Sequence, residues 1–298
     1  MAGWELFGRS NATVVRIELA RGRITRSTIP ALRSSGPVSF LASAGVAIVR
    51  PIDYVAGYVV PDGQPARESS AMLGQGGPVL PGPDPRHVWL ESGDDAHPVM
   101  VLAGLDGSRP GPTIPVPAGG SPLDASPDGG GYLLFTSAGG VYDARPGELR
   151  RITTGALLAV GPTGWLTTEC AGQHRCGTVL IDRLRGARHA VGRAMQGDGP
   201  GGLISPDGRT AALLNVGSGG SSTLYLLDLT TGKRRPLTVS VNQSSFGATL
   251  AWSPDSRWLF AVTAAGTLAV INRQTAQVGT LGAPLPTLTQ LVLRPAAR

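Results

Sequence analysis

The sequence predicts an all-β fold, a β-propeller of seven four-stranded antiparallel blades, closed by pairing a C-terminal strand near residues 287–294 with strands at the N-terminus. Three observations predict it: short apolar runs separated by turn residues along the whole chain, a recurring Ser-Pro-Asp-Gly turn, and a second turn signal that recurs in the same phase. Among 298 residues, 43 glycines and 25 prolines fall between runs of Val, Leu, Ile and Ala instead of clustering. That is turn chemistry between strands rather than disorder. Closed all-β architectures of this length are often one domain, so residues 1–298 are expected to form a single unit with its first blade divided between the termini.

The first turn reads Ser126-Pro127-Asp128-Gly129, Ser205-Pro206-Asp207-Gly208-Arg209 and Ser253-Pro254-Asp255-Ser256-Arg257. Each copy precedes an apolar run: Tyr132 to Phe135, Ala211 to Leu214 and Trp258 to Val262. Pro and Asp start the turn, Gly supplies positive φ, and the apolar run is the next strand. Weaker copies lie at Ser43-Ala44-Gly45, Gly82-Pro83-Asp84-Pro85 and Gly161-Pro162-Thr163-Gly164. They fall where a period of about 42 residues places them. The remaining copy straddles the termini, with Leu291 to Pro295 as the strand before the turn and Trp4 to Phe7 as the strand after it.

A second signal marks the passage from a blade's third strand to its fourth: an apolar residue, an acid or Asn, then Gly after a few residues. It reads Leu227-Asp228 to Gly232, Ile181-Asp182 to Gly186, Tyr142-Asp143 to Gly147 and Ile17-Glu18 to Gly22, with Ile271-Asn272 to Ala276 as a degraded copy. Asp62-Gly63 and Asp106-Gly107 mark the other two units. Because Asp128, Asp207 and Asp255 recur with the period, Asx hydrogen bonding accounts for them without catalysis.

The Ser-Pro-Asp-Gly turns followed by Arg and an apolar strand resemble the WD40-like repeats of TolB-type bacterial propellers, well in the second half and poorly in the first. The Gly-His and Trp-Asp dipeptides of true WD40 repeats are absent. The resemblance implies a protein-binding or accessory domain of the cell envelope. Some propellers of that group precede a peptidase domain, and no peptidase sequence follows within these residues.

A net charge of +6 and a pI near 10 invite a nucleic-acid reading, which needs cations gathered on one face and interleaved with aromatics. Here they look scattered. Lys233 is the only lysine, and Arg150-Arg151 and Lys233-Arg234-Arg235 sit where a blade's last strand should begin. A protein or peptide partner is therefore expected, and nucleic acid is not. No stretch approaches the roughly 18 consecutive apolar residues of a membrane span. Membrane attachment would need a segment outside this chain. Met1 to Glu5 lack the regions of a signal peptide, and Trp4 enters a strand almost at once, so an upstream segment is an expectation.

Cys170 and Cys176 flank a five-residue loop between the second and third strands of one blade. Cross-strand partners there come within disulfide reach, the expected state; free thiols and a metal site with His174 remain alternatives. A disulfide argues for an oxidising, extracytoplasmic compartment, and free thiols for a cytoplasmic scaffold. His87, His97, His174 and His189 show no ligand-pair spacing. Gly217-Ser218-Gly219-Gly220 reads as a hairpin turn, and Ser253 to Trp258 only approaches a sialidase Asp-box, since Ser256 replaces its Gly. No catalytic residue, metal site or cofactor is predicted. At the propeller mouth, the loops joining strands two and three and the connections between blades offer Asp94, Asp95, His97, Glu169, His174, Arg175 and Gln243 as binding candidates, with ordinary solvated loops as the alternative. The stretch from Gln64 to Pro85 is expected to be a lid or loosely ordered. The rival to a binding module is an enzyme of hydrolase, lyase or lactonase type, with polar groups converging on the central channel.

Overall fold

A computed structural model describes residues 4–30, 32, 37–43, 45–52, 56–69, 77–84, 86–93, 97–108, 111–125, 133–171, 175–217, 221–242 and 249–295. Strands account for all the regular structure among them. The first are β1 (Trp4–Ser10), β2 (Thr13–Glu18) and β3 (Arg23–Thr28), then β4 (Val38–Ser43), β5 (Val46–Pro51), β6 (Gly57–Pro61) and β7 (Arg67–Ser69). There follow β8 (Val79–Pro81), β9 (His87–Ser92), β10 (Val99–Gly104) and β11 (Thr113–Pro115), with β12 (Ser121–Ala125), β13 (Leu133–Ser137), β14 (Gly140–Arg145) and β15 (Glu148–Thr153). Next come β16 (Ala156–Val160), β17 (Gly164–Cys170), β18 (Cys176–Asp182) and β19 (Arg188–Arg193), and β20 (Asp198–Ile204), β21 (Thr210–Val216), β22 (Ser221–Asp228) and β23 (Arg234–Asn242). The last are β24 (Leu250–Trp252), β25 (Trp258–Val262), β26 (Leu268–Asn272), β27 (Val278–Thr280) and β28 (Gln290–Pro295).

These strands form an all-β propeller of four-stranded antiparallel blades. Five sheets are separate meanders, ordered β28-β1-β2-β3, β4-β5-β6-β7, β11-β10-β9-β8, β12-β13-β14-β15 and β24-β25-β26-β27. An eight-stranded sheet holds β19-β18-β17-β16-β20-β21-β22-β23, with β16 and β20 parallel and paired at Ala159 with Gly202 and Val160 with Leu203. Glycine is required at that contact, since a Cβ on Gly202 would lie 2.7 Å from the Leu158 carbonyl oxygen. First strands of successive sheets neighbour one another: β28 with β4, β4 with β8, β8 with β12, β20 with β24 and β24 with β28.

Sheets packed on both sides bury both faces, so their second strands read as continuous apolar runs without alternation. Ala47, Ile48 and Val49 of β5 are wholly buried, as are Leu133 to Phe135 of β13 and Ala211 to Leu214 of β21. The core is a series of layers between sheets. Phe7 and Val14 meet Phe40, Val49 and Tyr58 in one layer, and Leu224 and Leu226 meet Trp252 and Leu259 in another. Each such side chain contributes about 1.5–3 kcal/mol relative to exposure. Outer strands are polar and rich in Arg, as in β3 and β19, which guards their open edges.

The turn chemistry follows the repeat. Ser205 Oγ accepts from the Thr210 amide at 3.0 Å and donates to Asp207 at 2.7 Å, and Ser253 repeats this with Trp258 and Asp255 at 2.9 and 2.6 Å. At the second signal, Asp182, Asp228 and Asn272 each accept two backbone amides two and three residues on. The degraded copy keeps its geometry, with Ala276 at φ 59°. Asp143 departs from this pattern. It is a buried mid-strand carboxylate paired with Arg150 at 3.1 Å rather than a turn former. The copy Ser126 to Gly129 and the turn 218–220 lie outside the described residues. Gln64 to Pro85 is not simply a lid, because it carries β7 and β8.

Ring closure joins β28 to β1 from Trp4 opposite Pro295 to Arg9 opposite Gln290. At one end of the seam the buried Arg294 binds Asp62 at 2.6 and 3.1 Å, Glu5 at 2.5 Å and the Ser43 carbonyl at 2.9 Å, and stacks 4.5 Å over Phe7. At the other end Arg9 donates to Gln290, whose amide donates to the Val38 carbonyl at 2.6 Å.

Arg294→Ala is expected to lower unfolding free energy by about 2 kcal/mol, because it leaves Glu5 and Asp62 to share Arg16 alone and empties the space over Phe7; chemical denaturation checks this. A second expectation concerns acid. Burial pushes the Asp207 and Glu5 carboxyls up, but Arg273 with Ser205, and Arg16 with Arg294, outweigh it and hold both below the usual range. A depressed folded value gives stability that is present above the unfolded value and lost as pH falls through the folded one. Glu91, raised by burial, acts in the opposite sense. Stability should stay level down to about pH 5 and fall below about pH 4, and Asp207→Asn should flatten that limb in pH-dependent denaturation.

Candidate functional site

Where the end of β15 passes into β16 and faces β17 and β19, the two neighbouring sheets enclose a cleft of about 590 Å³. One wall is Arg151, Ile152 and Thr153 with the connection Thr154-Gly155; the other is Thr168, Glu169, Cys170 and Arg188. Gly155 lets the connection lie on β17, since a Cβ there would stand 2.0 Å from the Thr168 carbonyl oxygen. Glu169 accepts from Thr153 Oγ1 at 2.7 Å and from Arg188, and Arg188 also donates to the Ile152 carbonyl at 2.6 Å. These bonds clamp the walls together across the sheet boundary and neutralise Glu169. The Arg151 guanidinium faces solvent with no carboxylate within ion-pair distance among the described residues.

Next to Glu169, Cys170 and Cys176 stand opposite each other in the β17–β18 hairpin, Cα atoms 3.9 Å apart, and form a disulfide. The bond closes the hairpin whose first residue lines the cleft. Of the residues expected at the mouth, Glu169 is in the cleft and Arg175 is exposed on the disulfide hairpin. His97 belongs to the β9–β10 connection and is not part of the lining. Asp94, Asp95, His174 and Gln243 lie outside the described residues.

Arg151 and Arg188 were not anticipated as site residues, although a signal existed. Residues 148–193 hold seven arginines against three carboxylates, so four of the six net positive charges fall in this one span. The cations are less scattered than a reading of the whole chain implies.

Other polar clusters are built into the scaffold. Asp198 receives the Tyr225 hydroxyl at 2.5 Å and Arg234 at 3.1 Å; burial, with Asp198, pushes the Tyr225 phenol well up, so it stays a donor. A second cavity of about 210 Å³, between Leu41, Ile48, Pro81 and Val88, holds His87 bonded to Asp84 at 2.6 Å. Among the described residues no group of three His, Cys, Asp or Glu could hold a metal ion, and no helix is long and apolar enough to cross a membrane.

No family model matches the sequence, and no curated protein sequence matches it. Solved structures do match. A protein of unknown function from Desulfotomaculum acetoxidans is 14% identical over 98% of this chain and 99% of its own, with a TM-score of 0.62. A Lactobacillus plantarum protein is 14% identical over 99% of this chain and 100% of its own, at 0.60. TolB from Acinetobacter baumannii is 14% identical over 98% of this chain and 66% of its own, at 0.53. Likeness at this identity speaks to architecture alone, and what it shows is that this chain shares the β-propeller fold of proteins such as TolB.

Proposed function

We propose that the chain is one seven-bladed propeller domain, the eight-stranded sheet being two blades whose inner strands abut. On this reading it is a non-catalytic module that binds a protein or peptide partner at the cleft between the β12–β15 and β16–β19 blades. The carrying observation is the cleft itself, about 590 Å³ between walls tied by Thr153, Glu169 and Arg188 and lined at one end by the disulfide-bonded Cys170. Rigid walls reduce the ordering cost of binding. The disulfide supports an extracytoplasmic setting.

Panning a displayed peptide library on the intact chain tests the reading. Enriched peptides should converge on a motif and lose roughly tenfold or more affinity for Thr154→Trp, which places an indole over the cleft. Equal binding to that variant, or no convergence, would overturn it. The compartment is tested by alkylating the chain, unfolded without reductant, and weighing it. No adduct is expected, and two adducts would remove the support for export. The paired Cys170→Ser and Cys176→Ser exchange should cost about 2 kcal/mol in denaturation.

A further inference from the structure

We infer that the ligand of this cleft is an acidic peptide segment, held through its side-chain carboxylates by Arg151, with the exposed Arg193 adding to the positive charge of the same sheet boundary; the inference rests on the docking reading above. Of the seven arginines set against three carboxylates in residues 148–193, four lie on the outermost strands of two adjacent sheets: Arg150 and Arg151 on β15, Arg188 and Arg193 on β19, with Arg150 paired to Asp143 and Arg188 to Glu169. Arg150 and Arg188 are 52% and 45% exposed at the side chain, and Arg151 and Arg193 are exposed too.

Glu169 is cancelled by Arg188, so the cleft keeps the charge of Arg151. A planar guanidinium presents paired donors that match a carboxylate in two-point geometry. The β15 and β19 strands end their sheets, so no neighbouring strand covers the arginines. Single-stranded nucleic acid is the other polyanion such a rim attracts, but it is held by stacking its bases on aromatic rings. Trp165 is the sole Phe, Tyr or Trp between residues 148 and 193, and it is buried at 3% exposure.

The test is fluorescence anisotropy of the intact chain with three labelled probes: an end-blocked alternating Glu-Ala peptide, its Gln-Ala counterpart, and an oligothymidylate. The Glu-Ala peptide should bind about tenfold or more tighter than the Gln-Ala peptide, with affinity falling as salt rises. Arg151→Glu should weaken it by roughly tenfold, and the milder Arg151→Gln by less, while Arg67→Glu on the outer strand of a distant sheet leaves it unchanged. Equal binding of both peptides, each blocked by Thr154→Trp, would overturn the acidic ligand and leave the docking site standing. Equal loss with Arg67→Glu would mean attraction to overall charge and overturn it. Binding of the oligothymidylate alone, or of no probe, would also overturn it.

Discussion

The seam between the two ends of the chain is the constraint on which the fold depends. Each sheet buries its faces against its neighbours, so a ring left open would expose two apolar faces and an unpaired strand edge. Hydrogen bonds of β28 to β1 close the edge, but they do not by themselves press the joined sheet against β4–β7. Arg294 contributes to that, reaching from the last strand to Glu5 of the first and to Asp62 and Ser43 of the next sheet. Arg16 of β2 adds a second ion pair to Asp62, at 3.3 Å, beside the apolar layer of Phe7 and Val14 on Phe40 and Val49. At the far end of the same seam, Gln290 makes a weaker neutral tie to Val38.

Arginine recurs in this role around the ring. Arg273 reaches Asp207 in the preceding sheet, Arg235 donates to the Gln274 carbonyl in the following one, and Arg188 donates to Ile152 across the cleft. Lysine has three donors on a compact ammonium but no planar fork, so it could not reach two separated acceptors in the two-point geometry that arginine uses. The near-absence of lysine, readable as genome composition, therefore also serves the packing of the sheets. It leaves a by-product: wherever such an arginine lacks a full set of acids, the rim stays positive.

The fold was largely legible because its turns are local. Ser205, Asp207, Ser253 and Asp255 bond within five residues of themselves, so their chemistry is written contiguously. Asp143 misleads because burial and Arg150, not an Asx turn, hold it, and that distinction is tertiary. Strands β7 and β8 escaped notice because three residues each, one with two charges, make no apolar run. Glu169 was legible as a hairpin-end acid, whereas its partners Thr153 and Arg188 are 16 and 19 residues away on other strands. Only the packing of two sheets turns those residues into a wall.

Departures from the repeat mark where a blade has been adapted to its neighbour. Ser256 stands where Gly208 stands one repeat earlier, and it takes the same left-handed backbone, φ 59°, at a cost of about 1 kcal/mol. Its hydroxyl accepts the Asp207 amide at 3.0 Å, a bond glycine could not make, so the cost is offset by contact between turns of adjacent sheets. The same logic applies to the sheets flanking the cleft. There the turn acid at position 143 has become a buried ion-pair partner, and the neighbouring sheet carries a disulfide and the exposed arginines Arg175, Arg185, Arg188 and Arg193. A scaffold needs none of those three changes to close its ring. Their convergence on one boundary between blades is the physical reason to look for the ligand there rather than in the channel.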